Sequence, residues 1–131
     1  MMAGEISELK DVIQRIDGGP RMSMGVRHKD TVYFAVTPQA PYDGNLSAAE
    51  QCRQLFQKAQ GRLDVLGSSR SNLLFVAIVL ADMSDLDEVN AVWDSWIDQK
   101  NPPARACFEA SLTQPSLKLE MIMIAAVNDS E

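Results

Sequence analysis

The sequence predicts an α+β fold, a mixed β-sheet with two helices on one of its faces. Two segments carry apolar residues at helical spacings, and apolar segments of strand length precede, separate and follow them. Each helical segment has a single apolar stripe, so both helices are expected to pack on the same side of the sheet. The expected order is strand, strand, strand, helix, strand, helix, strand, strand.

The first three strands are short. Residues 12–16 form a candidate edge strand, and residues 1–15 are expected to be an N-terminal arm that includes a polar helical turn or a loose segment. Segments 23–28 and 31–36 flank Lys29 and Asp30, which is the pattern of a hairpin with a two-residue turn. Two prolines, a glycine and an asparagine make residues 37–46 a loop.

The two helices have clear boundaries. Ser47 and Glu50 form a capping-box pattern, and Gly67 is expected to end the first helix. Residues 72–80 are a continuous apolar run, typical of a strand buried on both sides. Ser84 or Asp85 is expected to start the second helix, which residues 101–103 end. The apolar stripes are Cys52, Leu55, Phe56, Ala59, Leu63 and Leu66 in the first helix, and Leu86, Val89, Trp93, Trp96 and Ile97 in the second.

Composition limits the classes of function. The 131 residues are about one domain's worth, so residues 1–131 are predicted to be a single domain. The net charge of −6 argues against general nucleic-acid binding, which depends on neutralising phosphates, but it allows a small anionic ligand held by one arginine. Cys52 and Cys107 are too few for a disulfide framework and lack the spacing of a metal site.

No segment of the sequence has the features of a membrane span or a signal peptide. The longest apolar run, residues 73–81, has nine residues, and charged residues interrupt the first 19 positions. A cytoplasmic protein is therefore expected. Strands 72–80 and 117–127 are apolar on both sides, although the chain supplies helices for only one side of the sheet. A partner must cover the other side, and self-association into a closed oligomer is the simplest arrangement.

The last two strands hold the candidate site. Segments 104–110 and 117–124 are predicted to form an antiparallel hairpin in which Ala110 pairs with Leu117. Arg105 would then be a diagonal neighbour of Glu120, with about 7–8 Å between their Cα atoms. A slip of one residue would undo this arrangement. The predicted direct pairs are Cys107 with Glu120, Glu109 with Lys118, and Arg105 with Ile122.

This cluster has a chemical and a structural interpretation. An arginine fork suits a carboxylate, and a glutamate can deprotonate a water, so the pair suggests hydrolysis of a small acid. The same residues would also serve as an ion pair at a subunit interface, with Cys107 a small buried side chain. A Cys–His nucleophile would require the fold to bring His28 to Cys107. Trp93 and Trp96 are expected in the core.

Pro103-Ala104-Arg105-x-Cys107, followed by Lys118-Leu119-Glu120, resembles the signature of the reactive-intermediate (imine/enamine) deaminase family, also called Rid or YjgF-like. Residues 85–93 are similar to that family's second helix, and the resemblance covers residues 20–127. It implies a chorismate-mutase-like sheet, three subunits whose sheets form a central barrel, and active sites in the clefts between subunits. It also implies hydrolysis of 2-imino acids to 2-keto acids and ammonia without a cofactor.

The resemblance assigns roles to individual residues. Arg105 would hold the substrate carboxylate, and Glu120 would activate the attacking water. Cys107 would line the pocket and contact the imine nitrogen through its backbone, and Asn90 would support the site. The chain also departs from well-known members. Arg21-Met22-Ser23 stands where they carry a tyrosine, and Ala35-Val36 stands where they carry Ser-Gly, so Val36 is expected to reshape the pocket.

Other functions stay open at this stage. A non-catalytic protein that binds a 2-keto acid would need Arg105 but not Glu120. A pericyclic enzyme of related architecture would need several cations around a dicarboxylate, and only Arg21 is available besides Arg105. Ribonuclease activity fits poorly with the acidic composition.

Overall fold

Six strands form one sheet, and two helices pack on one of its faces. The computed structural model describes residues 12–129, and the chain order of strands and helices is the predicted one. The arm predicted for residues 1–11 lies outside the described residues, whereas residues 13–15 belong to the first strand. The elements are β1 (Ile13–Ile16), β2 (Gly25–His28), β3 (Thr31–Val36), α1 (Ala48–Leu66), β4 (Leu73–Leu80), α2 (Leu86–Trp96), β5 (Ala104–Glu109) and β6 (Leu119–Ala126).

Helix α1 begins and ends where its sequence predicts. The Ser47 hydroxyl accepts a hydrogen bond from the Glu50 backbone N–H at 3.1 Å. Gly67 ends the helix in the left-handed conformation, with φ of +80°. The Ser68 N–H then donates to the Leu63 carbonyl at 2.9 Å, as in a Schellman motif. Helix α2 starts after Asp85, also as predicted.

The sheet order is β1-β2-β3-β6-β4-β5. All neighbouring strands are antiparallel except β4 and β5, which run parallel and are connected through α2. The β2–β3 hairpin turns at Lys29, whose φ of 57° suits a tight two-residue turn. Strand β4 therefore lies between β5 and β6.

The predicted closing hairpin is wrong. Strand β5 pairs with β4, placing Cys107 beside Ile78 and Arg105 beside Val76. Both edges of β6 are already paired, with β3 and with β4. A strand–helix–strand segment such as β4–α2–β5 favours parallel neighbours, and here that connection determined the pairing. The predicted pair of Glu109 with Lys118 is also absent: Glu109 accepts from the Met83 N–H, and Lys118 donates to the Gly44 carbonyl.

The two faces of the sheet differ in what covers them. Alternate residues of β6 (Leu119, Met121 and Met123) are fully buried in the core beneath the helices. The intervening residues point to the other face, which no described segment covers. There Tyr33, Phe108 and Ile122 keep 42%, 47% and 45% of their surface exposed. We call this surface the open face; it is the uncovered apolar face that the sequence predicts.

A buried glutamine fixes the start of β6. Gln51 of α1 is 1% exposed and donates to the carbonyls of Asp43 and Ser116, at 3.0 and 2.9 Å. Its side-chain oxygen accepts from the Lys118 N–H at 2.9 Å. These bonds tie the loop after β3 and the chain before β6 to the same helix. Within residues 12–129, no helix is long and apolar enough to cross a membrane.

Candidate active site

Arg105 lies at the exposed edge of the sheet on β5 and points to the helical side. Its guanidinium carbon is 5.0 Å from the centre of the Trp93 ring on α2, a cation–π distance. Among the described residues, no carboxylate forms an ion pair with it. Arg105 is therefore held in place by an aromatic ring while its hydrogen-bond donors remain available for a planar anion.

Glu120 lies on the open face. Its neighbours along the strand, Leu119 and Met121, are fully buried on the helical side, so the alternation of β6 turns Glu120 the other way. The side chain is half-buried and forms no hydrogen bond or ion pair with another residue in the range 12–129.

The structure does not bring Arg105 and Glu120 together in one chain. Across the sheet, Arg105 is in register with Val76 and Met123, whereas Glu120 is in register with Val79 and Phe108. The two residues are thus two strands and three residue positions apart, a Cα separation of roughly 14 Å, and they face opposite sides of the sheet. The prediction that they are diagonal neighbours is wrong, whereas the interpretation as an ion pair at a subunit interface stays a prediction. A site that uses both needs a second copy of the chain.

Cys107 lies two residues after Arg105, is half-buried and packs against the core. Burial raises the pKa of its thiol, and the nearby Arg105 only partly opposes this effect. The thiol is therefore neutral at physiological pH and a poor nucleophile. His28 lies on β2, separated from β5 by three intervening strands. A Cys–His nucleophile does not form within one chain.

Asn90 lies on α2, one helical turn before Trp93 and hence on a similar face. Its side-chain oxygen is buried and has no hydrogen-bond partner among residues 12–129. Buried amide oxygens are usually paired, so this atom is a ready acceptor for a ligand N–H.

The side chain of Val36 lies in the core. It is 1% exposed and pairs with Met121 on the helical side of the sheet. Only its backbone can therefore border a ligand on the open face. Ala35, next to it, points to the open face and is exposed, while Met22, in the loop after β1, keeps 65% of its surface exposed.

The sequence matches a known protein family over most of its length. The family described as Endoribonuclease L-PSP matches residues 12–127. The chain belongs to the Endoribonuclease L-PSP family. A RutC family protein from Haemophilus influenzae is 39% identical over 114 residues, covering 86% of this chain and 97% of that protein. RutC family protein YoaB from Escherichia coli K12 is 33% identical over 115 residues, covering 88% and 98% of the two chains.

Solved structures agree with this assignment. A YjgF-family protein from Neisseria meningitidis superposes with a TM-score of 0.85 at 30% identity, covering 92% of this chain and 99% of that one. The resemblance to the Rid or YjgF-like family and the predicted α+β fold are thus confirmed. The names of these relatives give the family and no substrate.

Sequence reasoning missed two features near the site of this L-PSP family member. The sequence predicts Trp93 in the core, where it lies, but its contact with Arg105 was not predicted. Lys58 and Arg62, one turn apart on α1, donate to the end of β3 and to the loop after it: Arg62 reaches the Ala35 carbonyl, and Lys58 reaches Thr37 at 3.3 Å. Partial burial lowers the pKa of both Lys58 and Arg62. The positive charge of Arg62 lowers the pKa of Lys58 further. The sequence signal for this pair was two basic residues four positions apart on one helix, with no acidic residue three or four positions from either.

Proposed function

We propose that this L-PSP family protein is a hydrolytic deaminase that converts reactive 2-imino or enamine acids to 2-keto acids and ammonia. The observation that carries the proposal is the presentation of Arg105 and Glu120. Both side chains lack a charged partner among the described residues, one at the sheet edge and one on the open face. An exposed cation and a half-buried carboxylate, both without a charged partner, are suited to a substrate that requires both.

Assembly of identical chains would bring the two residues together. The open face exposes aromatic and aliphatic side chains, including Tyr33, Phe108 and Ile122, and such a surface marks an interaction site. Packing this face against further copies, as a homotrimer, would bury Glu120 beside the neighbour's β5. Each cleft would then combine Arg105 of one copy with Glu120 of the next.

The proposed chemistry follows from these two side chains. The Arg105 guanidinium binds the substrate carboxylate through two parallel N–H bonds. Glu120 accepts a proton from a water, whose oxygen attacks the imine carbon. Glu120 returns this proton to the nitrogen, so the resulting tetrahedral adduct carries a hydroxyl and an amine. The hydroxyl proton then passes to the nitrogen, and the adduct collapses to the 2-keto acid as ammonia leaves. No electrons are transferred, so the reaction needs no redox cofactor.

Two further residues support the proposed site. The unpaired Asn90 side-chain oxygen is an acceptor on the helical side, near the ring that holds Arg105. Cys107 contributes its backbone and a neutral, half-buried thiol, which lines the site without competing as a nucleophile. The backbone at Val36 borders the open face.

The alternative is a protein that binds a 2-keto acid without catalysis. It would use Arg105 in the same way and leave Glu120 without a chemical role. The sequence change at Val36 gives this alternative little support, because the side chain is in the core. The proposed partners are therefore a small 2-imino or 2-keto acid and further copies of the chain. The acidic net charge gives no support for RNA binding, and location in the cytoplasm stays a prediction.

A coupled assay tests the proposal. An amino-acid oxidase releases 2-imino acids, semicarbazide traps those that survive, and the semicarbazone absorbance reports how much imine escaped hydrolysis. The wild-type protein is expected to suppress the signal, whereas Arg105→Ala and Glu120→Gln are expected to lose at least about a hundredfold in rate, typical for a general base. Arg21→Ala, an exposed cation in the loop after β1, is the matched control and should keep activity.

The variants also separate the two candidates. If the wild type leaves the signal unchanged for every amino acid tested, the deaminase proposal fails. Titration with 2-oxobutyrate then decides the alternative, because a non-catalytic binder should lose affinity in Arg105→Ala and keep it in Glu120→Gln.

A further inference from the structure

A groove between α1 and α2 contains two adjoining cavities, of about 490 and 440 Å³. Neither is lined by Arg105, Cys107 or Glu120. Because the groove lies on the helical side of the sheet, assembly through the open face would leave it accessible. The residues common to both cavities are Gln60, Arg70, Ser95 and Trp96.

An ordered aromatic pair forms one wall of the groove. The rings of Phe56 and Trp96 stack with centroids 4.3 Å apart and planes within 2° of parallel. Arg70 lies over the Trp96 ring, 5.7 Å from its centroid, and donates to the Trp96 carbonyl at 2.9 Å. The ring and the guanidinium are thus held in a defined arrangement before any ligand arrives, which lowers the entropic cost of binding.

The groove is cationic in a chain whose net charge is −6. Arg53 and Arg70 both line the 440 Å³ cavity, and no carboxylate does. Asp98 lines the other cavity, but its two oxygens accept hydrogen bonds from the Lys100 N–H and the Asn101 side chain, each at 3.0 Å. The local charge therefore favours an anion.

Gln60 adds to the groove a hydrogen-bond acceptor. Its side-chain nitrogen donates to Asp64 at 3.0 Å, which fixes the orientation of the amide. Its side-chain oxygen is buried and has no partner among the described residues. Such an acceptor is costly unless a donor reaches it, and a rotation of the Gln60 side chain toward the adjoining cavities would present it to a ligand N–H.

We propose that this groove binds a small heteroaromatic carboxylate, separately from the proposed deaminase site. Its planar ring packs beside Trp96, its ring N–H donates to the Gln60 oxygen, and its carboxylate lies between Arg53 and Arg70. The inference does not depend on the deaminase proposal, since it uses none of the same residues.

The two tryptophans give a direct test. Indole-2-carboxylate is titrated into the ¹⁵N-labelled protein, and the two indole N–H resonances are followed, with Trp96→Phe used for assignment. Binding in the groove should shift the Trp96 resonance, whereas binding at Arg105 should shift the Trp93 resonance. Benzofuran-2-carboxylate, which has the same shape but no N–H, should bind about tenfold more weakly, because it leaves the Gln60 oxygen unpaired.

Variants locate the ligand. Arg53→Gln removes an exposed cation that forms no hydrogen bond or ion pair with another described residue, and it should weaken binding of indole-2-carboxylate about tenfold. Gln60→Leu should abolish the preference for indole over benzofuran. Arg105→Ala and Arg21→Gln are the controls and should leave the affinity unchanged, with melting curves confirming that each variant folds.

Three results would overturn the proposal. The first is no shift of the Trp96 resonance at millimolar probe. The second is a shift confined to Trp93 that Arg105→Ala abolishes. The third is equal affinity for the two probes in both the wild type and Gln60→Leu, which would show that a water satisfies the amide oxygen.

Discussion

At the scale of single residues, the contact between Arg105 and Trp93 connects the core to the proposed site. Trp93 is 6% exposed and belongs to the core, yet its ring also faces the guanidinium of Arg105. A cation over an indole ring is attracted by the ring's negative face. The Trp93 side chain therefore restricts where Arg105 can point. The effect of Trp93 on function should be separable from its effect on stability.

Replacing Trp93 tests this dual role. Trp93→Phe keeps an aromatic face, whereas Trp93→Leu removes it and should raise the KM for a 2-imino acid about two- to fivefold, the equivalent of a cation–π contact worth ~0.5–1 kcal/mol. The kcat should change less, because Arg105 binds the carboxylate in both the ground state and the transition state. Steady-state kinetics in the semicarbazide assay measure both constants.

Trp96→Leu is the matched control for this substitution. Trp96 also lies on α2 but stacks on Phe56 and does not contact Arg105, so its loss should lower the melting temperature without raising KM. Equal rises in KM for the two leucine variants would mean that loosening of the core, and not the position of Arg105, is responsible.

At the scale of elements, local signals and long-range pairing differed in how well they could be predicted. The start of α1 at Ser47, its apolar stripe and its end at Gly67 are confirmed, because each depends on residues within a few positions of one another. The closing hairpin is wrong because alternation along β5 and β6 says which side each residue faces but not which strand lies beside it.

The same distinction explains the candidate site. Its residue types could be recognised from the sequence, whereas the opposite orientations of Arg105 and Glu120 depend on where β4 lies in the sheet. The open face could be predicted, because an apolar strand with helices for only one side leaves the other side uncovered. The contact between Trp93 and Arg105 could not be predicted, since the spacing of Trp93 on α2 is that of an ordinary core residue.

Two glycines, Gly61 inside α1 and Gly67 directly after it, provide opposite tests of the helix boundary. Gly67→Ala should lower the free energy of unfolding by about 1–2 kcal/mol, the cost of a left-handed conformation for a residue with a Cβ. The added Cβ would also lie 3.1 Å from the Arg27 guanidinium. Gly61→Ala should raise the free energy of unfolding by up to about 1 kcal/mol, because alanine favours a helix interior and the added Cβ has nothing within 4 Å.

Urea unfolding at one fixed protein concentration measures both changes, since the stability of an oligomer depends on concentration. A shift of both variants in the same direction would show that Gly67 does not act as a conformational cap.

At the scale of the whole molecule, the sheet has one face in the core and one face that remains exposed. The helices cover the first, and the side chains of Tyr33, Phe108 and Ile122 leave the second apolar and exposed. Glu120 lies on this same face. Assembly and the proposed catalysis should therefore respond together to a change in the open face.

A charge placed on the open face tests that link. Ile122→Asp should convert the proposed oligomer to monomers, because burying an unpaired carboxylate in an apolar interface is costly. It should also abolish deaminase activity. Val65→Asp, at a position 63% exposed on α1, is the control and should change neither property. Sedimentation velocity gives the molecular mass; a wild type that sediments as a monomer, or an Ile122→Asp protein that keeps the wild-type mass, would contradict the proposed interface.

The opposite orientations of Arg105 and Glu120 have a consequence for mixed populations of chains. If each cleft takes its arginine from one copy and its glutamate from the next, a copy that lacks both residues inactivates two clefts. A minority of damaged chains would then inactivate a larger share of the sites. Two kinds of copy, each lacking a different one of the two residues, would instead restore intact clefts when mixed. Loss of function would then depend on which chains assemble together, and not only on how many chains are damaged.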